Sequence, residues 1–377
     1  MKIAFVSTWR AKGGWPHYSD SVIDGLAGLG ISCEKFPIDS LPLSNLATAL
    51  DWHEVNKCDI AHIQYEISFF NQQNRNVFQN FISYINIPVV VTLHEIYQEN
   101  PFIYPFSKVG GSNKVISKIK KYLYWWKHPL HYSERKLYSS NFYAKRITVH
   151  SEYHVSIIKS MGCSRDMIRV IEHGVPCVAK GDKDLLKEAY GLKGKQVILT
   201  FGFLYPNNNY HYIISMLRYL DPKIVYVIAG GAREEMHKNI PGNIEKFARL
   251  NGVGDRVRIT GFLDEKKRDD FLSLADFYAA PFEIKSTSGS LCWAIGAGLP
   301  IITATSQMTD DMNARVPCLM LYDKANTDNF KKQLAWLVQD PDLQNKLRAG
   351  AEKYSQNYSY ESMCRKLKSV YEEITDY

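Results

Sequence analysis

Several short polar segments of this sequence could bind or transform a ligand, and each directly follows an apolar run. The longest is residues 286–290, Ser-Thr-Ser-Gly-Ser, which stand immediately before the apolar helical run 291–297. Backbone N–H groups at a helix start have no partner within the helix and lie at the positive end of its dipole. The segment therefore suits an anion such as a phosphate, although an ordinary helix N-cap beside a sheet has the same composition.

Paired glycines and histidines follow other apolar runs. Gly13-Gly14 and Gly230-Gly231 would let the backbone approach a phosphate or a sugar closely, or would simply form tight turns. Three apolar runs end in a histidine, at His94, His150 and His173. Histidine changes its charge near neutral pH, which suits it to acid–base chemistry, but each histidine taken singly is more often structural than catalytic.

A scaffold of parallel strands would position these segments. Apolar runs of strand length alternate with helical or loop segments, in two series on either side of the charged linker 180–195. The predicted strands are residues 2–8, 33–38, 60–65, 89–94, 146–151 and 168–173 in the first series, and 196–201, 224–229, 256–259, 275–281 and 299–303 in the second. This alternation predicts an α/β fold of two doubly wound domains, whose ligands bind beyond the carboxyl ends of the strands in the cleft between the domains.

Length and composition limit the class of protein. A chain of 377 residues is expected to form two domains, and 45% hydrophobic with 23% charged residues is typical of a globular protein. No apolar run reaches the roughly 18 residues that span a bilayer, and no cleavable signal follows the N-terminus. The seven scattered cysteines include no CxxC pair, which argues against a disulfide framework or a zinc cluster.

Positive charge is concentrated in one stretch, residues 108–146. It contains ten lysines and arginines, eight aromatic residues and a single acid, Glu134. Basic residues mixed with aromatic ones fit a surface that contacts an anionic membrane or a lipid-linked substrate. Single-stranded nucleic acid attracts the same mixture, but no nucleic-acid-binding motif occurs elsewhere, so we expect no nucleic-acid partner. The alternative is a solvated basic helix that its aromatic residues hold in place.

Nine short motifs follow one another along the chain. They are GGWPHY (13–18), HIQYEISFF (62–70), VTLHEIY (91–97), TVHSEYH (148–154), VIEHGVP (170–176), FGFLYP (201–206), YVIAGG (226–231), RVRITGFL (256–263) and AIGAGLPII (294–302). In this order they resemble the glycosyltransferases of the GT-B fold, in particular the retaining family 4 enzymes. The resemblance covers nearly the whole chain, and it rests on the ordered set rather than on any one motif.

The resemblance implies a division of the chain into two Rossmann-like domains that face each other across a cleft. Residues 1–182 would form the acceptor domain, and residues 183–359 would form the donor domain. A C-terminal helix, residues 360–377, would pack back on the first domain. The resemblance also implies a nucleotide-sugar donor held mainly by the second domain, and no requirement for a metal or another cofactor.

The donor loops depart from the family pattern. Family members usually carry an arginine and a lysine that clamp the donor diphosphate, and the positions that align with them are Phe203 and Asn208. The family's E-x7-E motif aligns with Lys285 and Trp293, and an indole cannot accept a hydrogen bond from a ribose hydroxyl. Residues 288–291, Ser-Gly-Ser-Leu, resemble the SGTL-like loop that replaces this motif in some family branches.

An active enzyme would therefore have to stabilise its leaving group with other cations, such as Lys285 and Arg233. The predicted catalytic residues are His94, Glu283 and Lys285. The predicted donor-binding residues are Gly13, Gly14, Gly202, Phe203, Asn208, Gly230, Arg233, Ser288, Gly289 and Ser290. The predicted acceptor-binding residues are Glu66, His150 and His173.

We therefore expect a glycosyltransferase that moves a sugar from a UDP- or GDP-linked donor to a glycan or lipid-linked acceptor, in cell-surface polysaccharide biosynthesis. The resemblance implies a retaining, front-face transfer that needs no metal. The alternative is a degenerate, non-catalytic protein that binds glycan or stabilises an active glycosyltransferase. The expected location is the cytoplasm, either free or peripheral on the inner face of the membrane.

Overall fold

The computed structural model of the chain describes residues 1–10, 13–39, 45–72, 75–94, 96, 145–160, 163–232, 235–282, 284 and 288–375. The chain divides into two compact units. Unit 1 comprises Met1–Glu172 and Glu361–Tyr377, and unit 2 comprises His173–Tyr360. The predicted boundary at residue 182 thus lies within unit 2. The residues before it already pack there, because Val175 pairs with Ser359 and Val178 is buried in the unit 2 core.

A six-stranded parallel sheet forms the centre of unit 1. The strands of this unit are β1 (Lys2–Ser7), β2 (Ser32–Pro37), β3 (Ile60–Tyr65), β4 (Asn71–Gln72), β5 (Arg75–Asn76), β6 (Val89–Leu93), β7 (Arg146–Val149) and β8 (Ile168–Val170). The sheet has the order β2-β1-β3-β6-β7-β8, and β4 and β5 form a separate antiparallel pair. Every residue of β3 is buried, as expected of a central strand that is covered on both faces.

Helices connect these strands. They are α1 (Trp15–Ala27), α2 (Trp52–Val55), α3 (Ile67–Phe70), α4 (Phe78–Ile82) and α5 (Glu152–Ser160), with short 3-10 turns at Leu46–Thr48 and Arg165–Met167. Helix α1 buries Tyr18, Val22 and Leu26, which recur every four residues and so lie on one face of the helix. This face packs on the sheet and fixes the start of α1 beside the end of β1.

A second six-stranded parallel sheet forms the centre of unit 2. Its strands are β9 (Gln196–Phe201), β10 (Ile224–Ala229), β11 (Val257–Ile259), β12 (Phe277–Ala280), β13 (Ile301–Ala304) and β14 (Leu319–Tyr322), in the order β11-β10-β9-β12-β13-β14. Successive residues of β9 enter two different apolar clusters, since Val197 and Leu199 belong to one and Ile198 to the other. The sheet is therefore covered on both faces, as the near-continuous apolar strands predict.

The helices of unit 2 begin with side-chain caps in most cases. The helices are α6 (Lys183–Ala189), α7 (Tyr210–Leu217), α8 (Ile240–Leu250), α9 (Glu265–Leu274), α10 (Gly289–Gly296), α11 (Gln307–Arg315), α12 (Thr327–Gln339) and α13 (Pro341–Asn357), with 3-10 turns at Glu235–His237 and Gly254–Arg256. The capping side chains are Asp182, Asp264, Ser288, Ser306, Asn326 and Asp340. Each accepts a hydrogen bond from a backbone N–H that the helix leaves unpaired.

The last helix, α14 (Tyr360–Thr375), returns the chain to unit 1. Its buried residues form a stripe with helical spacing: Met363, Cys364, Leu367, Val370, Tyr371 and Ile374. At the edge of this stripe the Glu373 carboxylate lies 3.1 Å from Arg146 Nε and 2.8 Å from Arg169 Nη2. The hydrogen bond from Arg169 is the main reason that the pKa of Glu373 is lowered.

Candidate active site

The order of the strands reverses once in each sheet. In unit 1 the reversal lies between β1 and β3, and in unit 2 it lies between β9 and β12. In doubly wound sheets, ligands bind beyond the carboxyl ends of the strands at this point. The predicted site residues therefore form two groups, one at the carboxyl edge of each sheet.

Two of the predicted histidines meet at the carboxyl edge of the unit 1 sheet. His94 directly follows β6, and His150 directly follows the neighbouring strand β7. Nδ1 of His94 lies 3.4 Å from Nε2 of His150, and both side chains are buried. His150 Nδ1 lies 2.8 Å from the carbonyl oxygen of Ile171 and donates to it. Burial lowers the pKa of His150 to about 4, so this imidazole is neutral at pH 7.

Buried polar side chains connect His94 with the last helix of the chain. His94 Nε2 lies 2.7 Å from Gln64 Oε1, and Gln64 Nε2 lies 3.2 Å from His62 Nε2. His62 Nδ1 lies 2.6 Å from the Tyr371 hydroxyl on α14. Burial lowers the pKa of His62 to about 3, so His62 is also neutral at pH 7. We call His150, His94, Gln64, His62 and Tyr371 the buried polar chain.

Aromatic side chains pack against the ring of His94. The ring centroids of Trp15 and Tyr18 lie 4.5 and 4.7 Å from that of His94, and both pairs meet edge to face. Trp15 also packs edge to face on Phe69, at 4.9 Å. Trp15 and Phe69 are half-buried, so part of their aromatic surface stays accessible beside the histidine.

The other predicted residues at this edge occupy the loops after β3 and β1, on the side of β6 away from β7. Glu66 directly follows β3, is buried, and accepts a hydrogen bond of 2.6 Å from the Ser68 hydroxyl. Gly13 has a φ of +110°, a conformation that side chains disfavour. Gly14 is the N-cap of α1, and a Cβ added there would meet no atom within 4 Å. The backbone at Gly14 is therefore open to close approach.

Asp39 holds the three residues 8–10 that follow β1. Its carboxylate accepts hydrogen bonds from the Thr8 hydroxyl and from the backbone N–H groups of Trp9 and Arg10. Burial opposes the ionised form, but these hydrogen bonds outweigh burial, and the pKa of Asp39 is lowered. An ionised Asp39 therefore fixes the backbone of Trp9 and Arg10 directly after β1.

The third predicted histidine belongs to the other unit. His173 opens unit 2, whereas His94 and His150 lie in unit 1. His173 is half-buried, and its Nδ1 lies 2.8 Å from the carbonyl oxygen of Gly174. Gly174 is itself confined, because an added Cβ would lie 2.5 Å from the Tyr360 ring. These contacts all lie within unit 2.

Glycines cross at the carboxyl edge of the unit 2 sheet. A Cβ added to Gly230 would lie 1.7 Å from the carbonyl oxygen of Gly202, so no larger residue fits without a backbone shift. Gly202 has a φ of +131°, and its added Cβ would face the Ser290 side chain at 3.7 Å. A Cβ added to Gly231 would lie 2.8 Å from the Phe262 ring. The ends of β9 and β10 therefore meet the start of α10 at one point, which we call the glycine crossing (Gly202, Gly230 and Ser290).

A row of aromatic rings lies next to the glycine crossing. Phe203 packs edge to face on Phe262 at a centroid distance of 5.9 Å and on Tyr205 at 6.5 Å. Tyr205 in turn packs edge to face on His237 at 5.5 Å. Phe262 is 55% exposed, so this row offers aromatic surface to a ligand. The position that aligns with a clamp arginine therefore presents an aromatic edge.

Asn208 has a structural contact at the other clamp position. Its Nδ2 donates to the carbonyl oxygen of Phe203, at 3.1 Å, and to the Tyr210 hydroxyl, at 2.8 Å. The next residue, Asn209, has a φ of +51° and starts α7. Asn208 thus uses its amide to close the loop after β9, and any effect on a ligand would be exerted through the shape of that loop.

The polar segment before α10 has the predicted helix-start geometry. The Ser288 hydroxyl caps the helix by accepting from the Leu291 N–H at 3.3 Å, and it lies 2.9 Å from the Ser290 hydroxyl. Gly289 is exposed, and a Cβ added there would meet no atom within 4 Å. The ordinary N-cap and the anion site are therefore compatible, because Ser288 caps the helix while Gly289 leaves its first turn accessible.

Trp293 points into unit 2 at the position that aligns with the second glutamate of E-x7-E. Its side chain is buried in one of the apolar clusters, and the Arg268 guanidinium stacks 3.6 Å from its ring centroid. A guanidinium over an indole face is a favourable cation–π contact. Trp293 therefore packs the second turn of α10 against α9 and provides no acceptor for a ribose.

Some predicted site residues lie outside the described residues. They are Arg233, Glu283 and Lys285, together with all but the last two positions of the basic stretch 108–146. Their predicted roles stay predictions. Within the described part of the chain, no group of three or more His, Cys, Asp or Glu side chains is arranged to hold a metal ion. No described helix is both long enough and apolar enough to cross a membrane.

The sequence of unit 2 matches a known family. Residues 182–354 match the family model described as glycosyl transferases group 1. The match covers most of unit 2, which we therefore call the group 1 domain. This domain contains the glycine crossing, the aromatic row and the start of α10, so the predicted donor residues that the structure describes in unit 2 all fall inside it. No curated protein matches the chain by sequence.

Solved structures extend the likeness to the whole chain. HepE of Anabaena, in complex with UDP and glucose, is 15% identical with a TM-score of 0.71, and the match covers 99% of this chain and 100% of that one. A glycosyltransferase of Rickettsia africae is 15% identical, with a TM-score of 0.72 and coverages of 99% and 98%. The sucrose-phosphate synthase of Thermosynechococcus elongatus is 14% identical, with a TM-score of 0.71 and coverages of 100% and 99%. The chain therefore has the GT-B fold, and its group 1 domain makes it a glycosyltransferase.

Sequence reasoning missed several residues that the structure places around His94. Gln64 and His62 occupy alternate positions of the buried strand β3, and Trp15 and Phe69 lie in the flanking segments. One signal was available, because polar residues inside an apolar strand need buried partners. Nothing in the sequence indicates that the partner of His62 is Tyr371, which is 309 residues further along the chain.

Proposed function

We propose that this glycosyltransferase takes its sugar from a nucleotide-sugar donor held by unit 2, UDP-linked or GDP-linked. The observation that carries the proposal is the glycine crossing within the group 1 domain. There, backbone of two strand ends and a serine at a helix start come together at the reversal point of the sheet. Glycines leave room for a diphosphate, and helix-start N–H groups are suitable donors to it. HepE was solved with UDP and with UDP-glucose, which makes uridine nucleotides the first ligands to test.

The aromatic row supports a nucleotide as the ligand. A nucleobase is flat and largely apolar on its faces, and the exposed ring of Phe262 together with Phe203 offers a matching surface next to the glycine crossing. Trp293 lies buried under Arg268 and has no acceptor for ribose hydroxyls. The proposed site therefore holds its nucleotide by the base and the phosphates more than by the ribose.

The leaving diphosphate needs positive charge that the usual clamp positions do not supply. We assign this role to Lys285, with Arg233 as the second cation. Lys285→Ala is expected to abolish turnover while the protein stays folded, and Lys285→Arg to retain part of it. Lys193 is 74% exposed and pairs with Glu188 on the same unit, so Lys193→Ala is a matched control that should keep full activity. Full activity of Lys285→Ala would show that Lys285 does not stabilise the leaving diphosphate.

The acceptor is proposed to be a glycan or a lipid-linked intermediate of a cell-surface polysaccharide, bound beside His94 in unit 1. The half-buried rings of Trp15 and Phe69 and the carboxylate of Glu66 suit a sugar, which has both apolar faces and hydroxyl groups. We further propose a retaining transfer that needs no metal. Transfer should then proceed undiminished in EDTA, and the anomeric configuration of the product should match that of the donor.

The membrane part of the proposal rests on the composition of the basic stretch 108–146. Lysines and aromatic residues together favour an anionic lipid surface. Replacing Lys118, Lys120 and Lys121 together by alanine should weaken sedimentation with phosphatidylserine vesicles, most clearly at low salt. Unchanged sedimentation would favour the alternative, a solvated basic helix that its aromatic residues hold in place.

The first test of the donor is a thermal-shift titration against UDP, GDP, CMP and their common sugar conjugates. A ligand that binds only the folded chain raises its melting temperature, by an amount set by affinity and concentration. We expect a shift with one nucleotide and its sugar conjugate, and a smaller shift in Phe262→Ala. Phe262 is 55% exposed, so this variant should fold normally. No shift with any nucleotide would refute the proposed donor site and favour a protein that acts by binding glycan or a partner enzyme.

A further inference from the structure

The buried polar chain restricts where protons can lie on His94. The carbonyl oxygen of Ile171 can only accept, so His150 carries its proton on Nδ1. His150 is neutral, so its Nε2 is a bare acceptor, and this acceptor lies 3.4 Å from His94 Nδ1. Two acceptors would repel each other at this distance. His94 Nδ1 therefore carries a proton and donates to His150.

Gln64 determines the state of the other nitrogen. In the orientation described, Gln64 turns its oxygen towards His94 Nε2, 2.7 Å away, and its nitrogen towards His62 Nε2. An amide oxygen can only accept, so this orientation matches a His94 with protons on both nitrogens. A half-turn of the amide places its N–H against His94 Nε2, and that orientation matches a neutral His94 with its one proton on Nδ1.

His62 and Tyr371 complete each of these two states. When the Gln64 oxygen faces His62, His62 must carry its proton on Nε2, and its Nδ1 accepts from the Tyr371 hydroxyl at 2.6 Å. When the Gln64 nitrogen faces His62, the His62 proton lies on Nδ1 and is donated to the Tyr371 oxygen. When the Tyr371 hydroxyl donates, each ring N–H and the hydroxyl of the buried polar chain has an acceptor. When this hydroxyl accepts, none of the contacts described for Tyr371 takes up its own proton, so the first state, with a neutral His94, is the better satisfied. The Thr92 hydroxyl, 2.7 Å from His62 Nε2 and 2.6 Å from the Thr148 hydroxyl, can donate or accept as required.

We propose that His150 keeps a proton on His94 Nδ1 whether His94 is neutral or charged, and that Gln64 is the positioning residue of His94, which adapts to both states of Nε2 through its contacts with His62 and Tyr371. His94 is then a hydrogen-bond donor at Nδ1 and not a base at that atom. The 3.4 Å contact with His150 is long, so this N–H can be shared with a sugar hydroxyl or a phosphate oxygen. The inference rests on the proposed function in placing His94 beside the transferred sugar.

The other titratable groups around His94 fit this state. Tyr18 from α1 packs on its ring, His150 faces its Nδ1, and Glu66 follows the same strand as Gln64 and is bound by Ser68. His150 and His62 stay neutral at pH 7, so neither supplies a charge that would replace the role of Gln64.

The wild-type protein provides the first test. With 15N-labelled histidine, the ligand-free chain is titrated by NMR, and the His94 signals are assigned by their loss in His94→Gln. Nitrogen shifts distinguish a protonated from an unprotonated ring nitrogen. We expect neutral His94 to be protonated on Nδ1 and neutral His62 on Nε2. A neutral His94 protonated on Nε2 would overturn the inference without the use of any variant of Gln64.

Two substitutions of Gln64 should then shift the His94 pKa in opposite directions. Gln64→Glu places a carboxylate against His94 Nε2 and should raise the pKa of His94 by about 1 to 3 pH units. Gln64→Leu removes the acceptor of the charged form and should lower the pKa of His94, while neutral His94 keeps its proton on Nδ1 because His150 still faces that atom. Ser7→Ala is the matched control, because it removes a buried hydrogen bond to Ser19 in the same unit but outside the buried polar chain. Equal or absent shifts in the two variants would overturn the inference.

This test separates the inference from the proposed function, since the NMR measurement needs neither donor nor acceptor. A chain with the expected tautomers that binds no nucleotide would refute the proposed function alone. A chain that transfers sugar while its neutral His94 is protonated on Nε2 would refute the inference alone. Where transfer is measured, Gln64→Leu should change kcat and its pH profile and leave the thermal shift by nucleotide unchanged.

Discussion

The carboxyl edges of the two sheets are built from opposite materials. In unit 1 the edge is made of large side chains whose polar atoms are buried and paired, the buried polar chain. In unit 2 the edge is made of backbone, because the glycine crossing works only where side chains are missing. The edge of unit 1 fixes the positions of protons on its side chains, and the edge of unit 2 leaves space for a ligand. The two edges should therefore fail in different ways when they are perturbed.

Acidification should damage unit 1 most. His62 and His150 have folded pKa values of about 3 and about 4, lowered by burial from an ordinary value of 6.5. Between these values and 6.5 the unfolded chain binds more protons than the folded chain. Burial of the two neutral histidines therefore leaves the free energy of unfolding unchanged above pH 6.5, and it destabilises unit 1 as the pH falls below 6.5. At pH 5 the loss is about 2 kcal/mol for each histidine.

Hydrogen exchange read by mass spectrometry, corrected for the intrinsic pH dependence, would resolve the two units. Peptides of β3 and β7 should lose protection at pH 5 before peptides of β9 and β10. An equal loss of protection in both sheets would show that the buried histidines do not make unit 1 more sensitive to acid than unit 2.

A single methyl group added at the glycine crossing should destabilise unit 2. Gly230→Ala puts a Cβ 1.7 Å from the Gly202 carbonyl oxygen, and the backbone on both sides must shift. We expect a loss of about 3 kcal/mol in the free energy of unfolding, measured in urea, together with loss of the nucleotide thermal shift. Gly289→Ala in the same unit meets no atom within 4 Å and should be neutral or stabilising. Equal stability of Gly230→Ala and Gly289→Ala would contradict the close approach of Gly230 to the Gly202 carbonyl oxygen.

The end of the buried polar chain gives a smaller effect. Tyr371→Phe leaves His62 Nδ1 without its hydroxyl partner in a buried site, which should cost about 1 to 3 kcal/mol. Glu373→Gln on the same helix weakens its partly exposed ion pairs with Arg146 and Arg169 and should cost less than about 1 kcal/mol. Urea unfolding of both variants decides the order. A larger loss in Glu373→Gln would mean that α14 is held by charge rather than by the buried polar chain.

The sequence predicted the fold well because the strands are short, apolar and regularly spaced. The predicted strands 60–65, 196–201 and 224–229 agree with β3, β9 and β10 residue for residue. A helix after the Ser/Thr/Gly segment was also predicted, but α10 begins at Gly289 rather than at residue 291, because Ser288 is its N-cap. The domain boundary was placed too late, because residues 173–182 carry no sequence signal for the side on which they pack.

The site was predictable only in part. Adjacent strand ends bring His94 and His150 together, and parallel topology is enough to foresee this. The role of Gln64 depends on atoms from β3 and α14, which no local pattern links. His173 has the same strand-end context as the other two histidines but belongs to the second unit. The sequence pattern therefore located the polar residues at the strand ends, but only the structure shows which of them are joined by hydrogen bonds.

The return of α14 to unit 1 also affects the order in which the nascent chain can fold. Unit 2 is one continuous segment, but unit 1 is interrupted between Glu172 and Glu361 by a gap of 188 residues. At about 5–20 residues per second, the ribosome needs roughly 10–40 seconds to bridge that gap. During this time the first unit has neither its last helix nor the hydroxyl that His62 requires. Unit 2 can therefore be complete during synthesis while the first-made unit still waits for the last-made helix.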